Sequence, residues 1–250
     1  MVTPSATLFR ALHHDRSPGD PLVLPGPWDV ASARAFEEAG FPALATPSAG
    51  IAASLGHEDG STPAEEMFTA VRRIARSVSV PVSADIEDGY GLAPKELVER
   101  LLETGAVGCN LEDSTRAGGL KDPRAQADWL AEVRAAAGDG LVLNARIDTL
   151  IGAFHGVAPT PETEADTIER ARLYIAAGAD CVYPIGAPLT TLPRLRAAIE
   201  GPINVGTPVD PTILREWGEA GATRITFGPG MQLRAAAAAK EMASTLLRDA

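Results

Sequence analysis

Residues 102–112, Leu-Glu-Thr-Gly-Ala-Val-Gly-Cys-Asn-Leu-Glu, hold a helix tail, a glycine and a short apolar run that ends in an acid. Glycine just past a helix takes the left-handed conformation that terminates it. An apolar run without alternation fits a strand buried on both faces, as parallel sheets require. The same phrase recurs as EEAGFPALAT (37–46), AAGADCVYP (176–184) and EAGATRITF (219–227). Its unequal spacing argues for alternating β and α units rather than a solenoid.

Working outward, strands are expected at about 22–25, 42–46, 81–85, 108–112, 141–146, 181–184, 203–206 and 224–228. Helical patterns fall at 30–39, 63–77, 94–104, 123–137, 162–177, 190–199, 211–220 and 230–248. Ser61-Thr62-Pro63 followed by Glu65 and Glu66, Asp122-Pro123 and Asp210-Pro211 mark helix starts by cap, N1 proline and early acids. Eight such units in 250 residues predict an α/β fold, a single-domain (β/α)8 TIM barrel spanning 1–250. A doubly wound sheet is the structural competitor. Residues 1–20 read as an N-terminal arm or a short leading helix. Helix 230–248, small over much of its surface, is either an outer barrel helix or a contact exchanged between subunits.

The chain is 45% hydrophobic with net charge −11, which disfavours nucleic-acid or anionic-membrane surfaces as partners. No apolar stretch approaches the roughly 20 residues that span a bilayer. The N-terminus lacks a basic region followed by an apolar core, so no secretory signal is evident. Cys109 and Cys181 each lie within an apolar run, which suits reduced thiols and a cytoplasmic location rather than a disulfide framework.

In such a barrel the C-terminal ends of the strands form the active face. Acids gather there. VPVSAD ends in Asp85-Ile-Glu-Asp-Gly-Tyr-Gly91, VGCNL in Glu112-Asp113-Ser114, and LVLNA in Arg146-Ile-Asp148. Hard oxygen ligands without His or Cys beside them suit Mg²⁺, or Mn²⁺, rather than Zn²⁺. Mg²⁺ keeps several waters, so Asp85 is expected as the direct ligand with Asp59 and Glu112 in the outer ring. The alternative is that these acids cap helices or pair with arginine, most of all Asp113 and Asp148. Ser48-Ala49-Gly50 is a turn or a nest whose backbone N–H groups receive a substrate carboxylate. Gly89-Tyr90-Gly91 suggests a tight loop approaching ligand or metal. Arg146 is a bidentate clamp on a carboxylate, or a salt-bridge partner of Asp85 or Glu112. Asn204 is delivered by the strand at 203–206 as a further substrate contact.

The histidines carry less. His13 and His14 are expected on an exposed arm. His57 lies two residues before Asp59, and His155 follows the strand at 141–146. Cys109 reads as core. The proton donor is left open among Tyr90, His155 and a metal-bound water.

At these residues the chain resembles the isocitrate lyase / phosphoenolpyruvate mutase superfamily over nearly its whole length. LPGPWDVASARAFEEAGFPALATPSAGIAASLGHEDG (24–60) is similar to the family's opening segment and ends in a metal-site acid, here Asp59. VPVSADIEDGYG, GCNLEDS with Glu112, and LNARID with the substrate-binding Arg146 are similar to its next three strand motifs. The resemblance implies a barrel, Mg²⁺ dependence, a 2-oxo acid or its enolate on the metal, and homodimers or tetramers that exchange the last helix. The candidate catalytic residues are Arg146, Glu112 and Tyr90. Ser48, Ala49, Gly50, Asp85, Gly89, Tyr90, Arg146 and Asn204 are the candidate substrate contacts.

The chain also departs from the family. Ser83 stands where phosphonate enzymes carry the first Asp of Asp-Ala-Asp, and two extra residues separate Asp85 from Gly-Tyr-Gly, which leaves the direct metal contact open among Asp85, Glu87 and Asp88. No Lys-(Lys/Arg)-Cys-Gly-His loop is present, which disfavours isocitrate and methylisocitrate cleavage. The equivalent gating loop is 114–121, where Arg116 and Lys121 are available to bind an anion. The expected activity is a Mg²⁺-dependent lyase cleaving a C–C bond in a small 2-oxo or 2-hydroxy di- or tricarboxylate through a stabilised enolate. The alternatives are a P–C phosphonomutase or phosphonopyruvate hydrolase, and a catalytically weak barrel that binds a 2-oxo acid.

Overall fold

The computed structural model describes residues 5–14, 16–17, 19–115 and 118–248. Eight strands alternate with helices: β1 (Leu22–Val23), β2 (Leu44–Thr46), β3 (Val82–Asp85), β4 (Gly108–Glu112), β5 (Val142–Ile147), β6 (Cys181–Pro184), β7 (Asn204–Gly206) and β8 (Arg224–Thr226). All pairings are parallel, in the orders β2-β3-β4-β5-β6 and β1-β8-β7. Two contacts join these segments into a ring. The Ala45 amide donates to the Pro25 carbonyl at 3.1 Å, and the Val182 amide donates to Pro202 at 3.1 Å beside a Val182–Ile203 bridge. The expected (β/α)8 barrel is therefore closed.

Alternation along the strands sorts residues between two environments. Ala84, Cys109, Leu111, Leu143, Ala145, Val182, Val205 and Ile225 face the helices and join the main core with Met67, Phe68, Leu97, Leu130 and Leu195. The other set points into the barrel. Arg224 on β8 reaches Ser83 on β3 at 3.5 Å and Asn110 on β4 at 3.4 Å, which is possible only across the interior.

The outer helices follow the expected positions within a few residues. Those that bear on the site or its supports are α4 (Ala64–Ala75), α5 (Pro94–Thr104), α6 (Pro123–Ala137), α7 (Pro161–Ala176) and α10 (Gly230–Arg248). Helix α5 has a proline at its start and Gly105 at φ +90° past its end, as the quoted segment predicts.

Two expectations need correction. First, of the two readings of 1–20 the described residues give the short leading helix and not the arm: α1 (Ala6–Ala11) packs on the barrel floor. Phe9 is fully buried with Leu22, Leu24, Ala43, Val107 and Val142. A Cβ on Gly108 would meet the Phe9 ring at 2.8 Å, so this strand position has room only for glycine. His13, expected in solvent, is 2% exposed. Arginine only donates, so the Nε2 atom 3.4 Å from Arg224 is the acceptor and Nδ1–H donates to the Phe9 carbonyl. Second, 48–55 is no turn or loop. It is a helix, α3 (Ser48–Leu55), ending at Gly56.

Candidate active site

The C-terminal face opens into a cavity of about 460 Å³. Strands and the loops after them supply its walls: Thr46, Ser48, Ala49, Asp59, Asp85, Asn110, Arg146, Tyr183, Gly206, Thr207, Thr226 and Phe227, with Ile151 and Phe154 at one side.

Asp85 ends β3 and lines this cavity. Its Oδ2 accepts the Ser48 hydroxyl at 2.9 Å and, more weakly, the Ser48 amide at 3.4 Å. Ser48 opens α3, whose N-cap is Pro47 and which has no capping side chain. The first-turn amides at Ser48 and Ala49 thus meet the cavity with the positive end of a helix. The amides expected to receive a carboxylate thus belong to a helix N-terminus rather than a nest. Gly50 does not share it, since a Cβ there would strike Pro47 at 2.8 Å. Gly50 serves packing.

Arg146 on β5 is held from two sides. Nη1 lies 2.6 Å from Glu112, while Nε and Nη2 bind Asp148 at 2.8 and 2.9 Å. Three of the five guanidinium N–H groups are committed, leaving two for a ligand. The clamp and the salt bridge, posed as alternatives by the sequence, are compatible. Asp148 also accepts the Ser114 hydroxyl at 2.6 Å and donates its amide to Asp113. Asp113 is fully buried and takes Arg170 at 3.0 Å and the Tyr174 hydroxyl at 2.8 Å. Both acids are structural, as the alternative reading of them held.

Glu112 stands beside Arg146 and does not line the cavity. Burial, with help from Asp85, Asp148 and Glu87, pushes its carboxyl up to about 8 against the pull of Arg146. The Asp59 carboxyl is raised by desolvation and by the Asp85 charge. Crowded carboxylates that raise one another's affinity for protons are a donor set that a hard divalent cation relieves. No trio of His, Cys, Asp or Glu among the described residues is gathered tightly enough to hold a metal directly. Asp85, Asp59 and Glu112 supply hard oxygen donors of the kind that suits a largely hydrated divalent cation.

Other expected contacts lie elsewhere. Gly89 abuts Trp129, which a Cβ would meet at 2.9 Å, and Tyr90 packs 6.1 Å from Phe68, ring to ring. Neither lines the cavity, so both leave the set of substrate contacts, and Tyr90 leaves the candidate proton donors. Glu87 and Tyr90 hold φ of 54° and 59°, a strained turn pinned by the Tyr90 amide on the Asp88 carboxylate at 2.9 Å. That turn carries Glu87 and Asp88 off the cavity wall and leaves Asp85 alone on it. Asn204 is fully buried beneath the site and donates to Thr226 at 3.4 Å. His57 pairs with Glu66 and His155 is exposed; neither lines the cavity. Arg116 lies outside the described residues. Lys121 turns outward, within 3.4 Å of the Asp88 and Glu112 carbonyls and over the Trp129 ring.

Tyr183 is the residue the sequence reading missed. It pairs in register with Arg146, is 5% exposed, and lines the cavity. Its parity with Cys181, opposite to Val182, was the available signal.

Residues 9–247 match the family described as phosphoenolpyruvate phosphomutase. The chain belongs to that family. An uncharacterised protein of Mycobacterium tuberculosis (strain CDC 1551 / Oshkosh) is 34% identical over 88% of this chain and 81% of its own length. An oxaloacetate decarboxylase of Rhodopseudomonas palustris (strain BisB5) is 31% identical over 89% of this chain and 78% of its own. The crystal structure of 2,3-dimethylmalate lyase, a PEP mutase/isocitrate lyase superfamily member, superposes with a TM-score of 0.83 at 28% identity. It covers 100% of this chain and 89% of that one. This member of the phosphoenolpyruvate phosphomutase family is accordingly an enzyme. No helix among its described residues is long and apolar enough to cross a membrane.

Proposed function

We propose that this enzyme is a Mg²⁺-dependent lyase cleaving a C–C bond in a small 2-oxo or 2-hydroxy di- or tricarboxylate. The observation that carries the reading is the meeting of Asp85, the α3 N-terminus and Arg146 on one cavity. Its relatives include enzymes named for C–C bond chemistry on such acids.

The donor set fits Mg²⁺, with Asp85 holding it directly and Asp59 and Glu112 through water. When bound, Mg²⁺ supplies Lewis acidity at the substrate's carboxylate and neighbouring oxygen. The chain's own groups do the rest. The Ser48 and Ala49 amides receive one carboxylate, and the two uncommitted Arg146 N–H groups orient another acceptor. Glu112 and Asp148 keep the guanidinium in place before substrate arrives, so little reorganisation is needed as charge develops. Ile151, Phe154 and Phe227 form apolar walls that strengthen these interactions by displacing water. No cysteine lines the cavity, in keeping with the missing cysteine loop; Cys109 and Cys181 are buried in the barrel wall.

The exposed Leu233, Met242, Leu246 and Leu247 on α10 support a homo-oligomer in which this helix packs on a neighbour. The two buried free thiols suit a cytoplasmic setting.

The test is turnover of oxaloacetate, 2,3-dimethylmalate, 2-methylisocitrate and phosphonopyruvate, each with Mg²⁺ and with excess EDTA. Metal-dependent cleavage of oxaloacetate or 2,3-dimethylmalate is expected. Exclusive turnover of phosphonopyruvate moves the reading to P–C chemistry. Tight metal-dependent binding with no turnover moves it to a binding barrel.

A further inference from the structure

We propose that Tyr183 is the catalytic proton donor of this site, passing its phenolic proton to the enolate carbon left by C–C cleavage. The inference rests on the lyase reading above and adds the residue that completes its reaction.

Cleavage leaves the bonding electron pair on the substrate as an enolate, and a proton must reach carbon before product departs. Few groups on the cavity wall can give one. Ser48 spends its hydroxyl proton on Asp85 at 2.9 Å, and Thr207 spends its own on the Pro208 carbonyl at 2.8 Å. Arg146 is kept charged by Glu112 and Asp148. Asp59 and Asp85 are taken by the cation site. A phenol is far more acidic than the remaining alcohols, Thr46 and Thr226, and Tyr183 is the phenol that lines this cavity.

The hydroxyl is built into position. It occupies the space that a side chain on Gly206 would fill, with the ideal Cβ only 2.4 Å from Oη. Beside it, the Asn204 and Thr226 side chains meet at 3.4 Å, which holds this part of the wall in place. The phenol carries one rotatable O–H, and because Tyr183 lines the cavity that hydrogen can be turned toward a bound substrate. Arg146, its register partner on β5, places a positive charge beside the phenolate that forms. Burial holds the phenol protonated at neutral pH.

The step balances. In a 2-oxo dicarboxylate the C–C pair stays on C3 as carbon dioxide leaves. The Tyr183 O–H bond breaks, C3 gains the hydrogen, and the oxygen keeps its electron pair as phenolate. Water returns the proton when product leaves, so one proton is consumed per turnover.

The experiment compares wild type and Tyr183→Phe acting on 3-methyloxaloacetate with Mg²⁺ in D₂O. Carbon dioxide release gives the rate, and the configuration at C3 of the deuterated 2-oxobutanoate, trapped by immediate reduction, gives the geometry of protonation. Wild type should give one configuration. The variant should lose roughly 10²–10⁴-fold in turnover, and its residual product should be racemic, because protonation then falls to bulk solvent. Oxalate affinity and thermal unfolding should stay at wild-type values, separating a lost donor from a damaged site. Tyr183→Phe product of a single configuration at near wild-type rate would overturn the assignment and leave the lyase reading standing. Wild type that releases no carbon dioxide would instead overturn both.

Discussion

Gly206→Ala isolates the placement of the Tyr183 hydroxyl without touching a charge. Gly206 sits in β7 without a positive φ, so the backbone accepts alanine. The new methyl meets Tyr183 Oη at 2.4 Å, while the next atom, Cζ, lies at an ordinary 3.5 Å. Ordinary contact needs about 1 Å more, and the phenol is 5% exposed, so it has little room to give way. Overpacking of this kind costs roughly 1–3 kcal/mol, or about 2–4 °C in Tm for each kcal/mol in a chain of this size. In the Tyr183→Phe background the offending oxygen is gone, so the same alanine should cost about 0.5 kcal/mol or less, as substitutions without a named mechanism do. A double-mutant cycle read by denaturant unfolding should give a favourable coupling of about 1–3 kcal/mol. Additive single costs would show that Oη does not face Gly206, and the argument for a positioned donor would go with it.

Arg146→Ala should lower kcat/KM by roughly 10²–10³ and destabilise the fold by about 3–5 kcal/mol, because Glu112 and Asp148 are left without their cation; steady-state kinetics and unfolding check the two effects separately. Asp113→Asn should cost about 1–3 kcal/mol, since it removes the buried charge shared by Arg170, the Tyr174 hydroxyl and the Asp148 amide while Asp166 still pairs with Arg170, and an unfolding curve at wild-type midpoint would contradict it. Burial, with Arg224 adding to it, lowers the His13 imidazole to about 3 in the folded chain, against an unfolded value near 6.5. The unfolded chain therefore binds the extra proton, so this contribution is intact above about pH 6.5 and is lost as pH falls toward 3. Between pH 6 and 4.5 wild type should lose on the order of 2 kcal/mol more than His13→Gln, and parallel pH profiles would refute it.

The barrel was legible because each helix-glycine-strand phrase obeys local rules that nothing in the tertiary structure opposes. Gly105 stops α5 and Val107–Leu111 needs burial on both faces, and both are satisfied. Asp85 and Arg146 were legible because strand ends in a closed barrel share one face. Ser48-Ala49-Gly50 misled because its small residues lack a capping side chain, although Gly56 marked the helix end. Gly89 and Tyr90 misled because neighbours in sequence of a site acid can turn away from it; the direction of that turn is set by contact with Trp129 and Phe68, which no local pattern encodes. Asn204 misled by depth. It points inward as expected but lies a layer below the cavity, and register alone fixes depth.

Anomalous scattering from crystals grown with Mn²⁺ and oxalate tests the central claim most directly. One peak about 2.0–2.3 Å from an Asp85 oxygen is expected, roughly the range of carboxylate bonds to small divalent cations, with oxalate lying between it and Arg146 and the α3 N-terminus. A peak elsewhere on the molecule, or a cavity holding oxalate with no metal beside Asp85, would contradict the account.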